Sequence, residues 1–152
     1  MQTAEQPAEP SATSSPDRWR LDQVPPSAVL HVWPSVSGLV QSVVARGEGS
    51  YLEADIAMAC MSGAWLLWIV RAFATNVPVA IGITELVAFP RQQKLLIRYV
   101  AGDMAAIEKY IPVLEAWGRA KECSVIEAYA RRGWAKVLDG YSERYVIIQK
   151  EL

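Results

Sequence analysis

The stretch Lys94-Leu-Leu-Ile-Arg-Tyr-Val-Ala-Gly-Asp-Met-Ala-Ala106 decides the fold, because a strand pattern within it runs directly into the start of a helix. Residues 94–101 are mostly aliphatic and aromatic, which predicts a strand. Gly102-Asp103 then begins a helix that continues to about residue 120, with apolar residues spaced to form one buried face. Pro112 lies inside this helix and removes a backbone hydrogen bond, so we expect a kink or two abutting helices, 103–110 and 112–120.

Two further strands are predicted upstream, at residues 64–73 and 77–89, since both segments are rich in Trp, Ile, Val and Leu. Short turns connect them to each other and to the strand at 94–101, which indicates an antiparallel meander. Lys94 and Arg98 alternate along the third strand. This alternation predicts that one face of the meander is exposed to solvent.

A pair of helices is predicted before the meander. Pro34 suits the first turn of a helix, and Val residues then recur on one face until Gly47 ends it. Ser50-Tyr-Leu-Glu53 has the pattern of a capping box, which predicts a second helix that ends at Met61 with Gly63 as its left-handed stop. The two helices form a short hairpin.

The chain after the long helix predicts a strand at Ser124–Tyr129, a helical turn at Gly133–Leu138 and a final strand at Arg144–Lys150. We expect the strand at 124–129 to be buried. The complete order of elements predicts an α+β fold, with a mixed central sheet flanked by helices. At 152 residues the chain has the length of one ordinary domain, and we place that domain at residues 29–152.

Residues 1–28 predict a flexible N-terminal arm, because they are rich in Pro, Ser and Ala and have no periodic apolar face. One alternative is a docking tail, in which Trp19 and Arg20 would bind a protein partner. A lone aromatic residue in such a tail is also often part of a short helix or strand. The sequence leaves these alternatives open.

The bulk composition excludes several classes of protein. The formal net charge is −1, with 15 basic and 16 acidic residues, so no general positive field exists to attract nucleic acid or anionic lipid. The longest apolar run, Ala64–Val70, is much shorter than the roughly 20 residues of a membrane span. With no signal-peptide pattern at the N-terminus, we expect a soluble cytoplasmic protein without a membrane partner.

No metal site or nucleophilic triad is predicted. Cys60 and Cys123 lie far apart in sequence without CxxC spacing, and His31 is the only histidine. We expect both cysteines to be buried free thiols. The sequence also contains neither a Walker loop nor an HExxH motif.

The order of elements resembles the GNAT acyltransferase fold. Gly63–Trp68, Thr84–Pro90, Glu115-Ala-Trp117 and Arg132–Leu138 more narrowly resemble the GNAT-like proteins that tailed bacteriophages and prophages encode. This resemblance covers about residues 30–152. It implies a fold that binds acetyl-CoA or another acyl-CoA at the junction of the central strand and helix, and it makes a phage or prophage origin an expectation.

The resemblance implies that backbone groups near the junction receive the pyrophosphate of acyl-CoA, because helix N-terminal amides favour anions. The positions concerned are Val100, Gly102, Met104 and Ala105. The family's Arg or Gln is missing from the phosphate loop, and Asp103 places a carboxylate where the phosphates would lie. Asp103 is also a good helix N-cap, and in that role it would occupy the same amides.

Catalytic groups are sparse. The family often has a Tyr acid four residues before the terminal Gly-aromatic pair, but Lys136 occupies that position here, and Tyr141 is displaced from it. Glu85 is the candidate general base, since a carboxylate in an apolar strand would have a raised pKa. The alternative is that Glu85 simply faces solvent. Glu127 is a weaker candidate.

Arg131 and Arg132 are placed where they would contact the adenosine phosphate of CoA or an acidic partner, but a pair of solvated turn residues explains them equally well. Two functions follow from the whole sequence. One is an acyl-CoA-dependent N-acyltransferase that acts on a small amine. The other is a non-catalytic virion or assembly protein that contacts phage structural or assembly proteins through its fold and its N-terminal arm.

Overall fold

The computed structural model describes residues 18–152 and builds them around a single five-stranded sheet. The strands lie in the order β1-β2-β3-β4-β5, and all neighbours are antiparallel except β4 and β5, which are parallel. The elements in chain order are β1 Trp19–Val24, a 3₁₀ turn Pro26–Ala28, α1 Val29–Arg46, α2 Glu53–Met61, β2 Leu66–Ala72, β3 Pro78–Phe89, β4 Gln92–Gly102, α3 Met104–Ala120, β5 Val125–Ala128 and α4 Trp134–Val137. The α+β fold and the β2–β3–β4 meander are confirmed.

The strand β1 corrects the prediction of a flexible arm over residues 18–28. Residues 19–24 pair with β2 along their whole length, from Trp19 opposite Ala72 to Val24 opposite Leu67. This pairing joins residues about 50 positions apart, so it has no local signal in the sequence. Residues 1–17, the remainder of the predicted arm, lie outside the described residues.

The helix hairpin is present, with different starts from those predicted. Helix α1 begins at Val29, so Pro34 lies in its interior. The predicted capping box at Ser50 is wrong. Helix α2 instead begins after Leu52, whose backbone N–H donates to the Asp55 carboxylate at 2.9 Å. The Ser50 hydroxyl turns back to Glu48.

Glu53 joins the two helices. Its carboxylate accepts hydrogen bonds from Trp33 at 2.9 Å, from Gln41 at 3.1 Å and from the Ser37 hydroxyl. These bonds, led by that from Ser37, lower the pKa of Glu53 below its usual value. The hairpin is therefore held by charge-assisted hydrogen bonds as well as by its apolar face.

Helix α3 is one continuous element of 17 residues, so the expectation of two abutting helices is wrong. Pro112 lacks the N–H that would complete one hydrogen bond, but the helix packs along β3 and β4 on both sides of it. Ile107, Ile111 and Leu114 are buried on this face. Tertiary packing thus outweighs the loss of one bond.

The sheet is covered on both faces, which corrects the prediction of a solvent-exposed face. Helices α1 and α2 pack on one face, where Val36, Val40 and Ile56 are fully buried. Helix α3 covers the other face. Lys94 and Arg98, which suggested an exposed face, are each largely buried and ion-paired to a carboxylate, Lys94 to Glu127 and Arg98 to Glu85.

The C-terminal part differs most from the prediction. Strand β5 is only four residues long and no residue in it is fully buried, so the expectation of a buried strand is wrong. The predicted final strand at Arg144–Lys150 is absent, since residues 142–152 have no regular secondary structure. The helical turn at 133–138 is confirmed by α4.

Among the described residues, one helical stretch, Pro26–Arg46, is long and apolar enough to cross a membrane, by length and composition only. In the structure its apolar positions Val36, Val40 and Val43 are buried against α2 and the sheet. The helix therefore serves as a core element of this fold.

Candidate functional site

A β-bulge in the middle of β4 shapes the candidate site. Ile83 of β3 pairs with Tyr99, but the next residue, Thr84, pairs with Ile97, so Arg98 is the extra residue on β4. Arg98 and Tyr99 both contact the aromatic residues beneath the α1–α2 hairpin, although neighbours in a regular strand point to opposite faces. Because a bulge bends its strand, β4 changes direction at this point.

Strands β4 and β5 diverge beyond the bulge. Their parallel pairing covers four residues, from Lys94 opposite Val125 to Ile97 opposite Ala128, while β4 continues to Gly102 paired only with β3. A cleft of about 960 Å³ lies beside this gap. Residues of α1, the loop before α2, β4, α3 and the segment after β5 line it, among them Arg46, Glu48, Tyr51, Arg98, Tyr99, Val100, Met104, Arg131 and Trp134.

One wall of the cleft is an aromatic cluster around Arg98. The guanidinium carbon lies 4.1 Å from the ring centroid of Trp65 and 5.4 Å from that of Tyr51, and one of its nitrogens donates to the Tyr51 hydroxyl at 3.2 Å. Tyr99 completes the cluster with its ring 6.1 Å from Trp65, and burial, the largest effect on it, raises the pKa of its hydroxyl. These contacts fix the guanidinium in one position.

Glu85, the predicted general base, is the ion-pair partner of Arg98 at 2.6 Å, with 27% of its side chain exposed. It is therefore neither in an apolar pocket nor simply solvated. Glu85 does not line the cleft, whereas Glu48 is the only carboxylate among the described residues that do. The weaker candidate, Glu127, bonds to Lys94 at 3.1 Å.

The junction of β4 and α3 has the residues that the sequence placed there. The Asp103 carboxylate accepts a hydrogen bond from the Ala106 amide at 3.0 Å and so caps α3. In the described part of the chain, the amides of Met104 and Ala105 have no backbone or side-chain acceptor. Val100 and Met104 line the cleft.

Gly102 has a structural task at this junction. Its φ is +110°, and a Cβ at this position would lie 2.2 Å from the Val79 carbonyl oxygen. The close approach lets the Asp103 amide bond to the same Val79 oxygen at 2.9 Å. Glycine is thus required for packing against β3, independently of any phosphate.

Neither candidate for the general acid, Lys136 or Tyr141, lines the cleft. Lys136 is exposed on α4. The Tyr141 hydroxyl donates to the Glu115 carboxylate at 3.0 Å, and its burial together with this contact raises the pKa of Tyr141 well above its usual value. Arg131 lines the cleft, whereas Arg132 is exposed outside it.

The remaining predicted residues have structural surroundings. Trp19 packs beside α3, and its carbonyl accepts a hydrogen bond from Tyr110 at 2.8 Å, while exposed Arg20 bonds to Asn76 and Asp22. Both cysteines are free thiols. Cys60 is buried, and desolvation raises its pKa to about 11, but Cys123 is only half-buried. No cluster that could hold a metal ion occurs within residues 18–152.

Sequence reasoning missed Glu48, Tyr51 and Tyr99 as residues of the site. Glu48 lies in the Gly47–Ser50 loop, which was interpreted only as a helix boundary. In sequence, Tyr51 lies within the predicted capping box and Tyr99 within the predicted strand 94–101, and neither pattern indicates a site. A bulge has no reliable local signature, so the sequence could not indicate that Arg98 and Tyr99 share a face.

The fold is that of the GNAT acetyltransferases. An aminoglycoside acetyltransferase from an uncultured soil metagenomic sample, solved with sisomicin, matches 89% of this chain and 96% of its own with a TM-score of 0.68 and 10% identity. Glucosamine-6-phosphate N-acetyltransferase from Arabidopsis thaliana matches 88% and 97% with a TM-score of 0.60 and 11% identity. A GNAT family acetyltransferase of Staphylococcus aureus matches 89% and 99%, also at 0.60 and 11%. No family model matches the sequence, and no curated protein sequence matches it.

Proposed function

We propose that this protein is an acyl-CoA-dependent N-acyltransferase that acylates an amine in the cleft beside β4. The observation that carries the proposal is the divergence of β4 from β5 at the Arg98 bulge, with a large cleft next to it. Similarity to acetyltransferases across almost the whole chain supports the same function, although the identity is low.

The unpaired side of β4 fits the extended arm of an acyl-CoA. Beyond Ile97 the backbone of β4 has no strand partner toward β5 among the described residues, so its N–H and C=O groups are available to amides of a ligand. Val100 and Met104 supply apolar contacts at the same place. Bound there, the acyl-CoA supplies an activated thioester carbonyl.

The chemistry needs an unprotonated amine. Its lone pair forms the new C–N bond, the C–S bond breaks, and the amine loses a proton while the departing thiolate gains one. Glu48 is the carboxylate that lines the cleft and is our candidate to accept the amine proton. In this proposal Glu85 is a positioning residue, because it holds the Arg98 guanidinium against Tyr51 and Trp65.

Acyl-CoA binding is the first test. Acetyl-CoA at 100 times its dissociation constant should stabilise the protein by about 2.7 kcal/mol, or a rise in Tm of roughly 5 to 11 °C. Free CoA is a matched ligand, and ATP tests for unspecific nucleotide binding. A flat response to acetyl-CoA at millimolar concentration would refute the proposal.

Asp103→Asn sharpens this test, because Asn caps a helix as well as Asp but carries no charge. If the phosphates of the ligand lie at the start of α3, the change removes a repulsion of at least about 1 kcal/mol, and the dissociation constant of acetyl-CoA should fall roughly fivefold. Isothermal titration of both proteins measures this. An unchanged affinity would show that the phosphates of acetyl-CoA do not lie at the start of α3.

Amine specificity is the second test. Purified protein is incubated with acetyl-CoA and a panel of amino sugars, polyamines and amino acids, and thiol release is followed with a colorimetric reagent. Glu48→Gln should lower kcat, because the variant lacks the carboxylate that accepts the amine proton. The matched variant Glu85→Gln should raise KM more than it lowers kcat. Inactivity toward every amine would favour the alternative below.

A non-catalytic role in virion or phage assembly is the alternative proposal. The observation in its favour is Asp103, which already fills one amide of the phosphate site with its own carboxylate. This alternative expects no effect of acetyl-CoA on Tm and a stable complex with a structural protein of the phage that encodes the chain.

A further inference from the structure

Arg98 has an unsatisfied hydrogen-bond donor beside the cleft. Among residues 18–152, its Nε is the one buried side-chain nitrogen or oxygen without a hydrogen-bond partner. Such donors are rare in native proteins because each one destabilises the fold, and a bound ligand can supply the missing acceptor. Arg98 itself lines the cleft, with 17% of its side chain exposed. A ligand in the cleft can therefore reach this guanidinium.

The guanidinium has more donors than the acceptors around it can use. Its five N–H groups belong to three nitrogens. Glu85 accepts from one terminal nitrogen at 2.6 Å, and the Tyr51 hydroxyl accepts from the other at 3.2 Å. Because the Tyr51 hydroxyl accepts this bond, its own hydrogen can be donated to a third group. This wall of the cleft therefore suits a ligand group that has several acceptor lone pairs.

A carboxylate is the anion that this wall fits best. Glu85 already balances the charge of Arg98, so the wall offers donors with little net charge. That combination suits a group of one negative charge better than a phosphate, which carries nearly two. The rings of Trp65 and Tyr51 hold the guanidinium in a fixed orientation, and its planar N–H groups match the two oxygens of a carboxylate.

Glu48 provides a position for a positive amine close to the same wall. It lies in the loop before α2 and lines the cleft, and the Ser50 hydroxyl donates to one of its oxygens at 2.6 Å. Burial is the largest effect that raises the pKa of Tyr99, and the charges of Arg98 and Glu48 also act on this hydroxyl, in opposite directions. Arg98 and Glu48 therefore both lie within electrostatic reach of one tyrosine.

We propose that the amine acylated in this cleft belongs to a free amino acid, whose carboxylate binds Arg98 and Tyr51 while its amino group lies at Glu48. The inference rests on the proposed acyl transfer and names its substrate class. Polyamines and neutral amines leave the Arg98 donor without an acceptor, so they lack a charge-assisted hydrogen bond. A phosphate-bearing amine brings a second negative charge close to Glu85.

The test compares amino acids with their α-amides. Within each pair the side chain and the amino group are the same, and a neutral amide replaces the carboxylate. Thiol release from acetyl-CoA gives kcat/KM for each compound, and phosphoethanolamine is the phosphate-bearing amine. We expect at least one amino acid to exceed its amide by about tenfold or more, the factor for one hydrogen bond to a charged group. Amine reactivity alone favours the amide, because a neighbouring carboxylate stabilises the protonated amine.

Arg98→Lys and Tyr51→Phe test whether this wall causes the preference. Lys keeps the charge but loses the planar arrangement of donors, and Phe keeps the ring but loses the hydroxyl. Both should bring the ratio of the two kcat/KM values towards one, whereas a purely structural role would lower both values equally. Arg20→Lys is the matched control and should keep the natural ratio, since Arg20 bonds to Asp22 and Asn76 at the opposite edge of the sheet. Circular dichroism checks that each variant is folded.

The possible failures are distinguishable. Equal kcat/KM for amino acids and their amides, or a preference that all three variants keep or lose alike, overturns the inference and leaves acyl transfer standing. Faster transfer to phosphoethanolamine than to any amino acid overturns it as well, in favour of a phosphate-bearing amine. If no amine releases thiol from acetyl-CoA, the proposed function fails and this inference fails with it.

Discussion

Two regions of this molecule differ sharply in how they are held. Among the described residues, every buried apolar side chain lies between Val24 and Leu114. The region from β5 onward, residues 125–152, contributes none, and seven of its large apolar side chains besides Val125 are exposed: Tyr129, Val137, Tyr145, Val146, Ile147, Ile148 and Leu152. The first region is a packed core, whereas the second rests on its surface.

The cleft lies at the boundary between the two regions. One wall is the bulged strand β4 with the Arg98 cluster, which many contacts fix, and the other is the segment after β5, which few contacts hold. Local stability follows buried apolar contacts and protected hydrogen bonds. A site built in this way has one preorganised wall and one wall that can adapt to a ligand.

The largest expected effect comes from adding a methyl group at two glycines, one in each region. Gly102→Ala places a Cβ 2.2 Å from the Val79 carbonyl oxygen at φ +110°, and we expect a loss of about 4 kcal/mol or more in the free energy of unfolding. Gly140→Ala has a similar φ penalty but no atom within 4 Å, so it should lose only about 1 to 2 kcal/mol. Urea unfolding measures the free energy of unfolding of both variants. Equal losses would contradict the expected difference between the two regions.

The sequence predicted the first region well, except for the strand that depends on pairing with a distant part of the chain. Strands β2, β3 and β4 have long apolar runs, and the Asp103 cap has a local signature, so both were recognised. Strand β1 was missed because its one strand partner among the described residues, β2, is far away in the chain. The helix α1 continues through Pro34 because buried Val29 and Val36 anchor both sides of the proline.

In the second region the sequence predicted a strand that the structure does not contain, whereas in the first region it missed a strand that is present. Residues 144–150 have the strongest local strand pattern after β5, but a strand also needs a neighbour, and the single chain offers none at that place. The residues of the candidate site were equally hard to predict. Glu85 was chosen for its apolar neighbours in sequence, while the bulge that brings Arg98 against it is a feature of pairing between strands.

Truncating one aliphatic side chain in each region is the next test. Ile69 is fully buried in the sheet, and Ile69→Ala should cost about 2 to 5 kcal/mol because it leaves a cavity. Val137 is 51% exposed on α4, and Val137→Ala should stay within about 0.5 kcal/mol. Chemical denaturation of both variants gives the two numbers. A loss above about 1.5 kcal/mol for Val137→Ala would mean that α4 belongs to the cooperative core.

A buried polar contact within the core should have a smaller effect. The Trp68 indole donates to the Thr84 hydroxyl at 2.9 Å, and Thr84 is the only buried polar residue in the described region. Thr84→Val leaves the indole N–H without a partner and should cost about 1 to 3 kcal/mol. When it is made in a Trp68→Phe variant, Thr84→Val should cost less, because no indole N–H is left without a partner. Additive losses in this double-mutant cycle would show that the bond does not matter.

The smallest expected effect concerns pH and the helix hairpin at the outer layer of the core. Hydrogen bonds from Ser37, Gln41 and Trp33 lower the pKa of Glu53 below its usual value, so the folded state binds a proton less readily than the unfolded state. The stabilisation is therefore complete above the ordinary pKa of a glutamate and is lost as the pH falls through the lowered value.

Glu53→Gln removes this titration, so the stabilities of the natural protein and the variant should differ most near neutral pH and converge in acid. Ser37→Ala keeps the carboxylate but deletes its leading donor, so it should show a reduced version of the same pH dependence. Thermal unfolding between about pH 3 and 7 covers the range in which a glutamate titrates. Parallel curves for all three proteins would mean that the carboxylate is solvated in solution, and that the hairpin is held by its apolar face alone.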